Sequence, residues 1–176
     1  VEWMIVFGNA TAYPFRHAAT VAAMALGTGL VHRSKEHDET LARLDKKAEG
    51  EARKNQKRQS TSVNKGSKGV ANASTLKACT AMKAKRDLVL QKIQLIWTDV
   101  FRGRYRDTTP AVRQLCMKSL SSWMRAYPEM FVATEYLKHA GWLLCDPSKE
   151  VRREAFAVVR EVFACKDYNL PGPQQK

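Results

Sequence analysis

Cysteine pairs are missing from this sequence. Its four cysteines, Cys79, Cys116, Cys145 and Cys165, lie far apart and form no C-x-x-C unit, with His139 the only imidazole near any of them. That spacing gives no zinc site. Cys116 and Cys165 fall in apolar helical patterns, so they are expected to be reduced, buried thiols of an intracellular protein. Long apolar runs are lacking too: Ala18 to Val31, the longest mostly apolar stretch, is too short to span a membrane and is broken by Thr and Gly. Phosphate-cradling glycine loops are absent, because the glycines at Gly8 and around Lys65 have no strand–loop–helix context. Tyr105 and Asp107 are no acid–base couple, since neither a nucleophile nor a second carboxylate accompanies them. Neither an enzyme nor a metal or cofactor site is therefore expected. The chain opens at Val1 with no methionine and no signal-peptide pattern, so the parent N-terminus is expected to lie upstream.

Acids are the other shortage. Seventeen Asp and Glu face 30 Lys and Arg, a formal charge of +13 over 176 residues. Such an excess points to a polyanionic partner, nucleic acid before membrane, or to a basic protein that simply stays soluble. Much of it is local. Eleven basic residues and only Asp87 lie between 52 and 92. Arg53, Lys54, Lys57 and Arg58 cluster there, and Lys83, Lys85 and Arg86 form a second group. Aromatic interleaving is absent, so phosphate contact with duplex DNA without sequence preference is the functional expectation, against a solvated basic loop.

What is present is helical. The run FRHAATVAAMALGTGLV after Pro14 carries small residues suited to close packing, and residues 36–59 read as a charged helix with acids first and bases last. Leu41 and Leu44 give that helix only a thin apolar stripe. Residues 60–75, rich in Ser, Gly and Asn, read as a flexible loop. From Leu76 to about Phe101 a long helix is expected, with Leu88, Ile93, Ile96, Trp97 and Val100 on its apolar face. Helices follow over about 109–126, 133–145 and 148–165, and 167–176 has the composition of a tail. No run of strands is found, and the fold class is all-α.

An internal repeat refines the architecture. Asp107, Val112 and Arg113 recur as Asp146, Val151 and Arg152, each 39 residues on, and Leu120, Trp123 and Met124 align with Val159, Val162 and Phe163. The period is at the short end for HEAT or armadillo units. The Asp can cap its turn, the Val faces a neighbouring helix, and the Arg can reach an acceptor in the next repeat. The expectation is a HEAT-like helical repeat solenoid (an α-α superhelix).

On the helix around 136–145, Tyr136, Ala140, Leu143 and Leu144 share one face, with Glu135, Lys138 and Trp142 roughly opposite. From the wheel alone, Trp142 either docks an aromatic or apolar anchor or packs on a further repeat. Trp97 and Trp123 read as core anchors, and His17 as a structural hydrogen-bonding histidine.

Residues 101–163 carry RYRD at 104–107, P-x-V-R at 110–113, W-M-x-x-Y-P at 123–128, YLKHAGW at 136–142 and D-x-x-x-x-V-R at 146–152. This series resembles the stromalin conservative domain of cohesin stromal-antigen subunits. FRHAATVAAMAL at 15–26 is similar to that family's R-H-T-x-T segment, while residues 32–87 depart from it. The resemblance divides the chain into N-terminal helices (1–59), a loop (60–75), HEAT-like repeats with the conservative domain (76–166) and the tail. It implies a nuclear, chromatin-associated and non-catalytic subunit. Such a subunit docks on the kleisin and coiled-coil ATPase subunits of cohesin and takes Phe- or Tyr-containing motifs of chromatin regulators. Carried over, the docking residues are Tyr105, Arg106, Leu137, Lys138 and Trp142. The competing readings are a generic HEAT-type adaptor and a basic RNA-binding helical protein.

Overall fold

The computed structural model describes residues 2–59 and 68–165. In chain order the helices are α1 (Glu2–Gly8), α2 (Tyr13–Gln59), α3 (Lys68–Ile96), a π-helical turn (Trp97–Phe101), α4 (Arg102–Arg104), α5 (Pro110–Ala126), α6 (Pro128–Phe131), α7 (Thr134–Leu143) and α8 (Lys149–Ala164). No strand occurs among the described residues. The ends follow local chemistry. Pro110 and Pro128 open α5 and α6 at positions where the missing N–H has no helical acceptor to lose. Ser148 caps α8 by accepting from the Val151 N–H.

Two compact units result, residues 1–32 with 92–176 and residues 33–91. The larger is built on a train of rings. Trp97 stacks on Phe101 with centroids 4.1 Å apart, Phe101 lies 6.2 Å from Trp123, and Trp123 leads on to Phe131 at 5.6 Å. Both tryptophans are buried core anchors, as expected. The π-helical turn inserts an extra residue per turn, and Trp97, Val100 and Phe101 within it are all buried. Trp123 also donates its indole N–H to Thr28 Oγ1 at 2.9 Å, so its polar edge is satisfied inside the core. Its ring lies where a Cβ on Gly27 would stand, 2.7 Å from Cζ2. Gly27→Ala is therefore expected to destabilise by roughly 1–3 kcal/mol through overpacking. A urea titration checks this, and Gly29→Ala, which meets nothing within 4 Å, is the neutral control.

In the smaller unit, Thr75 donates to Glu51 at 3.2 Å and Arg86 pairs with Asp38, which sets the 33–59 part of α2 antiparallel to α3. Leu41 and Cys79 are buried there and Leu44 is half-buried, in keeping with a thin stripe.

Several expectations are corrected. The two helical runs of 14–31 and 36–59 are one continuous helix, because no glycine or proline after Gly29 interrupts the propensity until Gly50, and one glycine inside a long helix costs only about 1 kcal/mol. The loop expected over 60–75 is helical from Lys68 on, while 60–67 lie outside the described residues. Leu88, expected on the apolar face, is 57% exposed. Cys165 ends α8 half-buried, and Cys145 is exposed; only Cys79 and Cys116 are buried thiols. Complete burial pushes the Cys116 thiol up, which suits an inert side chain. The His17 side chain rests against the Tyr13 ring at 5.4 Å and makes no side-chain hydrogen bond among the described residues. The tail at 167–176 lies outside the described residues.

Candidate partner-docking site

The turns that carry the site are fixed by two arginine–aspartate rungs. Asp107 Oδ1 accepts from the Thr109 N–H at 2.9 Å, folding its own turn, and Asp146 does the same with Ser148 at 2.9 Å. The remaining carboxylate capacity goes to arginines from earlier helices of the same compact unit. Arg16 donates through Nε and Nη2 to Asp107 at 2.6 and 3.3 Å, and Arg113 donates likewise to Asp146 at 2.8 and 2.8 Å. Arg104 adds a bond to Asp107 at 2.9 Å. Burial alone would raise both carboxyls. The arginine hydrogen bonds, the backbone N–H bonds and the arginine charges outweigh it and hold both below the usual carboxylate value. Both aspartates thus act in the repeat turns, as the repeat motif implied, and Arg113 reaches its acceptor in the adjacent repeat.

With Asp107 pinned, the two residues before it are placed against α7. The Tyr105 ring lies 6.2 Å from Trp142, tilted only 23°, and the Arg106 guanidinium sits over both rings at 5.2 and 4.9 Å. Trp142 is 52% exposed, whereas Tyr105 is 5% exposed. The expected docking residues therefore divide. Trp142, Arg106 and Lys138 face solvent, Leu137 is half-buried beside them in the chain, and Tyr105 lies beneath as backing for Trp142. No further repeat covers Trp142 among the described residues. On the inner side of α7, Tyr136, Ala140 and Leu143 are buried as expected, while Leu144 is only half-buried.

Sequence reasoning missed His139. It is buried with its ring edge-on to Trp97, Phe101, Tyr105 and Trp142 at 5.1, 5.8, 4.5 and 5.4 Å, tying the core rings to the exposed one. Its Nδ1 has no hydrogen-bond partner among the described residues. Burial first, then the charges of Lys138, Arg102 and Arg106, push its pKa down to about 4 from 6.5. A histidine depressed in the fold stays neutral there while the unfolded chain protonates. Its stability contribution is thus complete above pH 6.5 and falls as pH drops toward 4. The expected loss over that window is roughly 2–4 kcal/mol. Urea midpoints at pH 7 and pH 4.5 measure it, and His139→Phe should remove this part of the acid sensitivity.

The basic groups are distributed differently. Arg53 is exposed on α2; Lys54, Lys57 and Arg58 follow on the same helix, their side chains outside what the structure describes. Lys83 and Lys85 are exposed on α3, and Arg86 is half-buried in its pair with Asp38. Lys83 and Arg86 line a shallow groove with Asp38, Asp45 and Asp87, so acids from α2 offset part of the positive charge counted along α3.

Residues 106–171 match the stromalin conservative domain model, which takes in both Arg106 and Trp142, and residues 1–68 match the STAG domain model. Cohesin subunit scc-3 of Caenorhabditis elegans is 32% identical over 85% of this chain and 13% of its own length. Cohesin subunit psc3 of Schizosaccharomyces pombe is 28% identical over 93% of the chain and 16% of its length, so the chain spans a small part of either relative. Among solved structures, cohesin subunit Scc3 from Z. rouxii superposes with a TM-score of 0.79 at 22% identity, covering 92% of this chain and 18% of that one, which places the fold among HEAT-like helical solenoids. With two domain models matched in succession over well over half of its length, the chain belongs to the stromalin (stromal antigen) family.

Proposed function

We propose that the chain acts as a non-catalytic scaffold piece of a cohesin subunit in sister-chromatid cohesion, working in the nucleus on chromatin. The relatives it matches bear cohesin-subunit names, and the two matched family models together take in Arg16, Arg106, Asp107, Arg113, Trp142 and Asp146. The observation that carries the binding role is the exposed Trp142, backed by a buried Tyr105 and crossed by the Arg106 guanidinium. A large aromatic surface held rigid from below is a suitable anchor for a Phe or Tyr side chain of a regulator peptide. The same subunit would dock on a kleisin and, through it, on two coiled-coil ATPases. Affinity purification from nuclear extract with the DNA digested tests this. Recovery of a kleisin with two coiled-coil ATPases is the expected result, and recovery of other partners alone returns the chain to a HEAT-type adaptor.

A second contact is with duplex DNA, supported by the charge of residues 52–92 and the exposure of Arg53, Lys83 and Lys85. Each neutralised phosphate contributes about −0.9 to the slope of log affinity against log salt. Reversing the four charges at 53, 54, 57 and 58 is expected to flatten that slope. Tighter binding of structured RNA than of duplex DNA would favour an RNA-binding protein instead.

A further inference from the structure

Four rings form one stack that runs from the core to the surface. Trp97, Phe101 and Tyr105, each four residues after the last, lie nearly parallel, and Trp142 ends the series. Successive planes differ by 20°, 13° and 23°, with centroids 4.1, 6.1 and 6.2 Å apart. His139 stands across all four, its plane meeting theirs at 72°, 76°, 71° and 85°. Three of those rings are buried, and the fourth is the exposed Trp142.

The two kinds of contact restrain Trp142 differently. An offset stack leaves a ring free to slide over its neighbour's face, whereas a ring set edge to face blocks that slide. Tyr105 gives the indole the first kind of contact and His139 the second, and both of these residues are buried. Helix geometry favours the second contact, because long side chains lean back over the preceding turn, and His139 lies three residues before Trp142. Arg106 also crosses the indole, but it is an exposed residue. His139 works here as a neutral ring. Burial and the charges of Lys138, Arg102 and Arg106 disfavour its protonated form, and its Nδ1 meets no partner among the described residues. Phenylalanine is thus a conservative replacement. Leucine and methionine are not, since neither presents a flat wall.

On the reading that Trp142 is the docking anchor, we propose that His139 is its positioning residue: the imidazole walls in Trp142 on the side that the Tyr105 stack leaves open, so the indole is ordered before a partner's Phe or Tyr side chain arrives. Ordering one long side chain on binding weakens affinity by roughly two- to tenfold, and the wall removes that cost beforehand.

The test labels the tryptophans of the full chain with 5-fluorotryptophan. The Trp142 fluorine resonance is the one that Trp142→Phe removes, and its transverse relaxation reports how ordered the indole is. In the free protein, wild type and His139→Phe are expected to relax alike, and His139→Leu at least twofold more slowly. A Trp123 resonance at its wild-type position shows that a variant is folded, since that ring packs on Phe101 and Phe131. His139→Met, which fills the space without branching, replaces the leucine variant if that one does not fold. A short Gly–Ser peptide carrying one Phe is then titrated against each protein. Its affinity is expected to be roughly three- to tenfold weaker in His139→Leu and unchanged in His139→Phe. Unaltered relaxation in the folded leucine or methionine variant overturns the proposal. So does equal peptide affinity in wild type and His139→Leu where Trp142→Ala loses binding. A peptide that does not bind the wild type at all overturns the docking reading instead, and the relaxation of the free protein then decides whether His139 orders Trp142.

Discussion

Asp107→Ala is expected to cost about 3–5 kcal/mol, enough to unfold much of the larger unit. The Asp107 side chain is almost completely enclosed and the Arg16 side chain nearly so, 2.6 Å apart. Removing the carboxylate leaves the Nε donor of Arg16 without an acceptor and its Nη2 with only the long contact to Thr108 Oγ1, while Arg104 keeps only Asn9. It also opens the turn that Asp107 closes on Thr109. A buried guanidinium without its acid is far more costly than the absence of both groups. Arg16→Met combined with Asp107→Leu is therefore expected to recover part of the loss. Urea midpoints of the two single variants and the double variant decide it; a double variant as poor as the sum of the singles would mean that the pair does not act as a pair. The pH dependence follows with the opposite end of the scale from His139. Asp107 and Asp146 have folded values below the ordinary 3.8, so their contribution is complete above that value and is lost as pH falls through the lower folded one. Acid unfolding is thus expected in two stages, the histidine between pH 6.5 and 4 and the aspartates below.

Trp142→Ala is expected to weaken binding of Phe- or Tyr-containing regulator peptides by roughly 30-fold or more, a loss of about 2 kcal/mol or above, with helix content unchanged. The side chain is half in solvent, so truncation leaves little void. Tyr105→Ala should behave differently, losing stability together with binding, because Tyr105 is buried against Phe101 and His139. Peptide titrations followed by fluorescence polarisation, run beside circular dichroism melts, separate the two effects. Unchanged affinity in Trp142→Ala would take this residue out of the docking site.

The all-α class, the helix starts at Pro110 and Lys149, the core places of Trp97 and Trp123, and the repeat at 39 residues were legible in the sequence. Each is written locally: in helical periodicity, in a proline at a first turn, or in a motif that recurs. The division of α7 into a face with Tyr136 and Ala140 and one with Lys138 and Trp142 was legible for the same reason, since a wheel needs only neighbours in the chain; whether Trp142 stays open was not. What only the tertiary structure decided joins segments far apart. Arg16 meets Asp107 across 91 residues. The Trp123 ring closes on Gly27. The acids of α2 come to face the bases of α3, so the charge of residues 52–92 is smaller in space than along the chain. His139 is the sharpest case. On a wheel it is a polar residue between a buried face and an open one, and four rings from three segments decide that it is buried, neutral and joined to Trp142. Local pattern fixes which face a helix can bury, but burial itself depends on what the rest of the chain brings to that face, and periodicity holds no record of it.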